Sequence, residues 1–512
     1  MAEPISYRLS SLDQSAVRTY IRCCYCFPYR KGKAGVEDVV ARLTDGMQRA
    51  VNRYPILAGS ASANVEVMDV LPPNHAQPLR RETVSIGARF GPLLQSRRES
   101  TGSNTFALLD IREQGEQQDT EKGQSGQLEV LVRAEGLAVH PIVKHLSKAD
   151  FPETYDALAA RGMPPRALVG SHITSLPDSP DPAAGESPVF AVQATFNDGG
   201  LFVTVFLHHA VADERGMANI VRLMSSDQAF ASADVSSDAV DQSRSRDRLS
   251  GSRGVKAKRS EETKHGRVQK PSNIPRAYNC HVLAFDLQKI RQTADLINER
   301  AALSPDEPCK TIAPLDCLVA ILWKAMARGR NPRVKVEERQ TSTCRVPIDM
   351  RMRLDPALGS GYFGNACLSA KATERLIRLG LPFDIGTLGH AAHLVHESTA
   401  ESTETDLRGT IAAINSAPDV RGALDIGNRF NADVVITDWS GMPMGTAATL
   451  GLGLGAPQFV REASKECAGS GCILLPPREE VEMWEVVVQA DDETMARVVE
   501  DEGLLPFVLH VA

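Results

Sequence analysis

The segment His208-His209-Ala-Val-Ala-Asp213 places two imidazoles and a carboxylate within six residues of one another. Histidine is the side chain whose ordinary pKa, about 6.5, lets it take a proton near neutral pH, so His209 is a candidate general base. Asp213, four residues on, suits orientation or ion pairing. Two other readings of the same residues stand beside that one. Strand-end histidines can be satisfied by backbone carbonyls while Asp213 caps the following helix, or His208, His209 and Asp213 can ligate zinc. Neighbouring side chains on a strand point to opposite faces, which argues against the shared metal.

The flanking residues say what holds this segment. Leu201 to Leu207 is an almost wholly apolar run, the mark of a strand buried on both faces. It is preceded by a second strand, Pro188 to Phe196, and by the turn Asn197-Asp198-Gly199-Gly200, a hairpin signal. After Gly216, the spacing of Met217, Ile220, Val221, Leu223 and Met224 predicts a helix that buries one face. His209 is therefore expected at the end of a rigid strand, where a base is held better than on a free loop.

With 512 residues the chain is too long for one ordinary core, and its 42% hydrophobic and 24% charged residues are those of a globular protein. A net charge of −7 gives no electrostatic case for nucleic acid or an anionic membrane surface as partner. The ten cysteines, Cys23, Cys24 and Cys26 among them, lack paired spacing and are expected as reduced thiols. The first twenty residues lack the layout of a signal peptide, and no apolar run is long enough for a membrane span. The expected location is the cytoplasm and the expected state a monomer.

Elsewhere the N-terminal half carries a strand at Tyr20–Pro28, an amphipathic helix from Val36 to Val51, and a strand resuming at Gln127–Val132. Residues 95–126 are poor in large apolar groups and are expected as an exposed loop with one short strand at Phe106–Ile111. Between Arg244 and Lys270 ten Lys/Arg face three Asp/Glu, a local charge of +7. Residues 225–275 are accordingly expected as a flexible crossover linker between a domain at 1–224 and another at 276–512. In the second half, Pro314–Ala327 predicts an apolar helix with Asp316 placed for burial. Ser342 to Leu354 is expected as a strand with Asp349, Arg351 and Arg353 on one face, followed by the turn Gly361-Tyr-Phe-Gly-Asn365. His390, His393 and His396 are spaced by three on a predicted helix; steps of about 300° carry them round it, away from a joint metal site.

His209-x-x-x-Asp213, Asp349-x-Arg351-x-Arg353, Gly361-Tyr-Phe-Gly-Asn365, Thr437-Asp-Trp439 and the glycine-rich Gly451–Pro457 occur in that order. Together they resemble the BAHD family of acyl-CoA-dependent acyltransferases. Leu12-Asp13-Gln14, Cys26-Phe27-Pro28 and Tyr54-Pro55-Ile-Leu-Ala-Gly59 are similar to its fungal branch, the trichothecene 3-O-acetyltransferases. The resemblance implies an α/β fold of two chloramphenicol-acetyltransferase-like domains, each a mixed sheet flanked by helices, with a channel between them. It also implies that a short segment of the C-terminal domain is exchanged into the N-terminal sheet. The implied co-substrate is acyl-CoA, acetyl-CoA by default, with no permanently bound cofactor and no metal. The implied acceptor is a small-molecule alcohol. His209 is the implied base and Asp213 a structural acid paired with Arg351 or Arg353. Thr437, Trp439 and Asn365 are the implied lining of the oxyanion site and substrate channel.

Two positions depart from the family pattern. The motif Asp-Phe-Gly-Trp-Gly-x-Pro is represented here by Gly451-Leu-Gly-Leu-Gly-Ala-Pro457, with glycine in place of its aspartate. The residue after Asp213, commonly glycine, is Glu214, which recharges the channel wall. Two alternatives to acyl-CoA transfer remain open at this point: a carrier-protein thioester as donor, and a binding scaffold without turnover.

Overall fold

The computed structural model of the chain describes residues 4–30, 35–63, 124–133, 139–180, 187–225, 235–251, 278–303, 311–331, 340–422, 433–442, 448–463 and 471–512. The strands of the first half are β1 (Ile5–Arg8), β2 (Tyr20–Pro28), β3 (Ser60–Ala63), β4 (Leu128–Val132), β5 (Ile142–His145), β6 (Phe190–Asn197) and β7 (Gly200–His208). Those of the second are β8 (Tyr278–Asp286), β9 (Thr341–Asp349), β10 (Cys367–Arg375), β11 (Val434–Asp438), β12 (Phe459–Glu462), β13 (Gly471–Leu474), β14 (Met483–Asp491) and β15 (Val508–Val511). They form a five-stranded sheet β12-β2-β7-β6-β5, a seven-stranded sheet β10-β9-β11-β13-β14-β8-β15 and a small sheet β1-β4-β3. With the helices between them this is the mixed α/β, two-domain architecture expected from the resemblance.

The apolar run of β7 explains its place. Every residue of the strand is buried, and it is hydrogen-bonded on one edge to β2 and on the other to β6. A strand in that position has no solvated face, so its sequence does not alternate. The β6–β7 connection is the two-residue Asp198-Gly199 loop, with Gly199 at φ +86°, the left-handed region such a turn demands. Over this sheet lies the helix Val36–Arg53, burying Val39, Leu43, Met47, Ala50 and Val51, and it packs on the helix Glu214–Ser225 that follows the histidine segment. In the second half the helix Pro314–Arg330 is buried along nearly its whole length, and its Trp323 indole N–H bonds Ser342 Oγ at 2.8 Å.

The two sheets are tied by β12. This strand belongs to the second half of the chain but pairs antiparallel with β2, Phe459 opposite Cys26 and Glu462 opposite Cys23. From it, the fully buried Arg461 reaches Glu485 of β14 in a two-pronged ion pair at 2.7 and 3.1 Å. Guanidinium and carboxylate match in that geometry, which fixes register as well as charge.

Three expectations are revised. Residues 235–248, inside the expected flexible linker, form a helix; Leu249 just beyond it is fully buried, and Gln242 and Arg246 are anchored by hydrogen bonds to the 361–363 backbone. Polar docking of this kind leaves no apolar periodicity to read. The strand expected over Ser342–Leu354 stops at Asp349, because the Asp349 carboxylate accepts the Arg351 N–H at 3.0 Å and turns the chain. Arg351 and Arg353 thus stand on a turn, not on one strand face. The Phe106–Ile111 strand and residues 252–275 of the linker lie outside the described residues.

Candidate active site

At the end of β7 the backbone is pinned on both sides. The His209 N–H donates to Thr19 O at 2.9 Å, and the His209 carbonyl accepts the Asn365 side-chain amide at 2.8 Å. The two histidines diverge from there, as neighbours on a strand must. His208 is 1% exposed; its Nδ1 accepts the Ala210 N–H at 3.2 Å, and its ring packs edge-on against Tyr20 at 5.5 Å. Burial, helped by the charges of Arg18 and His209, pushes its pKa down to about 3. His208 is a neutral core residue.

The His209 ring keeps 23% of its surface exposed. Its Nε2 lies 3.5 Å from Glu214 Oε1, and its Nδ1 is buried with no side-chain partner among the described residues. Burial disfavours the imidazolium, but the Glu214 carboxylate outweighs it, and Asp213 adds to the effect; the pKa rises to about 9. A resting imidazole close to its ordinary value, the premise of the sequence reading, is therefore replaced by a His209–Glu214 ion pair.

Asp213 is fully buried and meets Arg351, not Arg353. Its two oxygens accept from the Arg351 guanidinium at 2.8 and 3.0 Å, while the Ala366 N–H and the Cys367 thiol add bonds at 3.0 and 3.3 Å. Burial works against the charge, yet Arg351 and these donors hold the carboxyl below its ordinary value. Arg351 spends its remaining N–H groups on Asp349 and on the carbonyls of Tyr362 and Gly364. Gly216, whose N–H caps Asp213 at 3.2 Å, has no room for a side chain: a Cβ there would lie 2.6 Å from Ala212 Cβ and 3.3 Å from the Phe363 ring. Arg353 instead donates to the carbonyls of Thr399 and Ser402 at the surface.

The turn Gly361–Asn365 is where these parts converge. Phe363 stacks on Tyr54 with ring centroids 4.4 Å apart, and the Tyr54 hydroxyl donates to Gly361 O. Asn365 donates from its amide to both the His209 carbonyl and Asp13 Oδ1, the latter at 2.9 Å, and its own N–H reaches the same oxygen at 2.6 Å. Asp13 is fully buried and also lies 3.6 Å from Arg246. Asn365 thus holds the backbone of His209; its amide hydrogens are spent there and not on a channel wall. Sequence reasoning found Asp13 only as part of a resemblance and missed Arg246 and Gln242 as anchors of this turn.

Thr437 lies near the end of β11, and Trp439 follows it, 2% exposed, with its backbone N–H on Leu474 O. The Trp439 indole N–H is buried and has no partner among the described residues. Trp439 joins the core cluster that also contains Ala210, Val211 and Phe363. In the glycine-rich loop, Gly451 has φ +67°, and a Cβ there would stand 2.8 Å from the Met224 carbonyl. No aspartate fits that backbone. The loop is secured otherwise, by the buried Leu450 and Leu452 and by the Leu450 N–H on Ser225 Oγ at 3.0 Å.

The helical histidines go separate ways: His390 to Glu374, His393 to its own helix at Gly389 O, and His396 to the buried Asp316. Among the described residues no three His, Cys, Asp or Glu side chains gather as metal ligands, and no helix is long and apolar enough to cross a membrane.

Known proteins resemble this chain in sequence and fold. Residues 174–505 match the model of the Transferase family, and residues 114–227 match the trichothecene 3-O-acetyltransferase-like N-terminal domain. The acyltransferase easC of Emericella nidulans is 23% identical over 97% of this chain and 93% of its own length. The eremophilane O-acetyltransferase prx11 of Penicillium rubens is 24% identical over 71% of this chain and 80% of its own. Among solved structures, Fusarium TRI101 from F. graminearum, complexed with coenzyme A and deoxynivalenol, superposes with a TM-score of 0.70 at 17% identity, covering 99% of both chains.

Proposed function

The chain belongs to the Transferase family, and on that premise we propose that it moves an acyl group from an acyl-CoA thioester to a hydroxyl of a small secondary metabolite, with His209 as general base. Its relatives are named as acyltransferases and O-acetyltransferases, and the TRI101 structure is a complex with coenzyme A and deoxynivalenol. Those names support acetyl-CoA as the donor. The two substrates would meet in a channel between the two sheets.

The observation that carries the reading is the treatment of His209. Its backbone is clamped from Thr19 and Asn365, the acid four residues on is consumed by Arg351, and the imidazole is left partly open. In the proposed reaction neutral Nε2 takes the acceptor's hydroxyl proton as the oxygen attacks the thioester carbonyl. The tetrahedral intermediate then collapses, the C–S bond breaks, and the imidazolium returns the proton to the leaving coenzyme A thiolate. Both substrates held together make the encounter effectively unimolecular, so no acyl-enzyme is required. The negative oxygen of the intermediate needs donors. The indole N–H of Trp439, without a partner among the described residues, supports it in that role, with the Thr437 hydroxyl two residues earlier in sequence. Asp213 and Arg351 act through the fold: they set the turn after β7 and do not touch substrate.

The test is turnover. The purified protein is incubated with acetyl-, malonyl- and longer acyl-CoAs and a pool of polyol metabolites, and thiol release and product mass are followed. Acceptor-dependent thiol release with a product heavier by one acyl group is the expected result. A well-folded protein silent with every CoA would refute it.

A further inference from the structure

We propose that Glu214 is the positioning residue that holds the His209 ring by Nε2 and yields that nitrogen to the acceptor hydroxyl, a role that rests on the reading of His209 as the base. The geometry is specific to one nitrogen. Glu214 Oε1 stands 3.5 Å from Nε2, whereas Nδ1 is enclosed by protein. A hydroxyl giving up its proton to Nε2 must come within about 2.6–3.2 Å of it. The carboxylate lies on that approach, so a bound acceptor has to displace it or slide in beside it.

Among the described residues the surrounding charges leave Glu214 no other ion-pair partner. Arg351 is consumed by Asp213 and Asp349, and Arg215, the next residue of the helix, turns to Asp349 at 3.3 Å. Three carboxylates, Asp213, Glu214 and Asp349, thus face two guanidiniums, Arg215 and Arg351, which leaves one negative charge for His209 to balance. Among the described residues the remaining titratable neighbours give Glu214 no second ion pair: His208 is neutral, with the Arg18 charge acting on that ring, and the Cys23 and Cys367 thiols, both within reach of the Glu214 charge, are pushed up by burial first and by that charge among others. Glu214 opens the helix Glu214–Ser225, so its backbone is set by the same turn that carries Asp213.

Two consequences oppose each other. In the free enzyme the pair favours the protonated His209 ring, whose pKa the Glu214 carboxylate raises to about 9 against the opposing effect of burial, so the neutral ring is the minor form at pH 7. Once the acceptor's proton has moved to Nε2, the same carboxylate stabilises the imidazolium that forms beside the tetrahedral intermediate. Glu214 therefore trades resting availability of the base for strength in the transition state.

The experiment uses the full chain with isotope-labelled histidine. The His209 ring, identified by its absence in His209→Ala, is titrated by NMR, and the pH dependence of kcat/KM is measured in parallel for wild type, Glu214→Gln and Glu214→Asp. In wild type the ring titrates near 9, and the acid limb of kcat/KM, which reports the free enzyme, follows it. Glu214→Gln moves both midpoints down by more than about one pH unit, toward the ordinary histidine value, and lowers the alkaline plateau; Glu214→Asp restores most of both. A ring titration unchanged in Glu214→Gln overturns the pairing, and a ring that moves while the kcat/KM limb stays fixed overturns the positioning role. Failure of the base assignment looks different from either: His209→Ala keeps its rate.

Discussion

The segment after β7 has a sealed side and an open side, each made of one histidine and one acid five residues further on. His208 and Asp213 are 1% and 0% exposed, and the His208 Nδ1 and both Asp213 oxygens are met by the protein. His209 and Glu214 keep 23% and 16% of their side-chain surfaces and pair loosely with each other. The consequence is opposite shifts in adjacent imidazoles, His208 pushed down to about 3 and His209 up to about 9. Burial disfavours the charged form of both rings; what separates them is the Glu214 carboxylate, joined by Asp213, at His209 and the Arg18 charge at His208. The sealed side supplies a fixed turn, and the open side supplies a group able to exchange protons with something that is not protein.

Breaking the sealed side has the largest expected effect on the fold. Asp213→Ala leaves the Arg351 guanidinium buried and unpaired, which costs about 3–5 kcal/mol. Denaturant melts should show that loss, and activity should fall with it. Replacing Asp213 and Arg351 together by apolar residues should recover part of the stability and no activity.

His208→Ala comes next, at about 1–3 kcal/mol for the lost packing and the orphaned Ala210 N–H. Its kcat at neutral pH should stay within severalfold of wild type where the fold persists. The comparison sharpens in the pH dependence of melting. The folded pKa of His208 is depressed, so its contribution is full above about 6.5 and is lost as pH falls toward about 3. That of His209 is raised, so its contribution is full below about 6.5 and is lost as pH rises through about 9. His208→Ala should therefore flatten the acid limb of the melting curve and His209→Ala the alkaline limb. Equal effects on both limbs would remove the distinction between the two sides.

The smallest effect belongs to Arg353→Ala. Among the described residues its guanidinium meets only surface carbonyls, so stability should shift by no more than about 0.5 kcal/mol and activity should not change. A loss comparable to that of Asp213→Ala would mean that the turn is locked by both arginines.

What the sequence made legible follows what local chemistry dictates. The unalternating run of β7, the Asp198-Gly199 turn and the apolar face of Val36–Arg53 each have a short-range cause. The choice between Arg351 and Arg353 was not legible, because it depends on where the chain turns after Asp349. Nor was the work of Asn365, which joins Asp13 to His209 across 352 and 156 positions of chain. Glu214 was visible as a departure from the family pattern. Its consequence was not, since that depends on which imidazole nitrogen faces it. Likewise, Gly451 looked like a missing aspartate until its positive φ and the Met224 carbonyl behind it gave the reason.

The central claim is that the open histidine, not the sealed one, takes the acceptor's proton. It is tested most directly by comparing acceptor-dependent thiol release from acetyl-CoA in wild type and His209→Ala at equal concentrations of folded protein. The account predicts a native-like melt for the variant and a rate lower by about 10²–10⁴. A folded His209→Ala that transfers at near the wild-type rate would contradict it and place the base elsewhere.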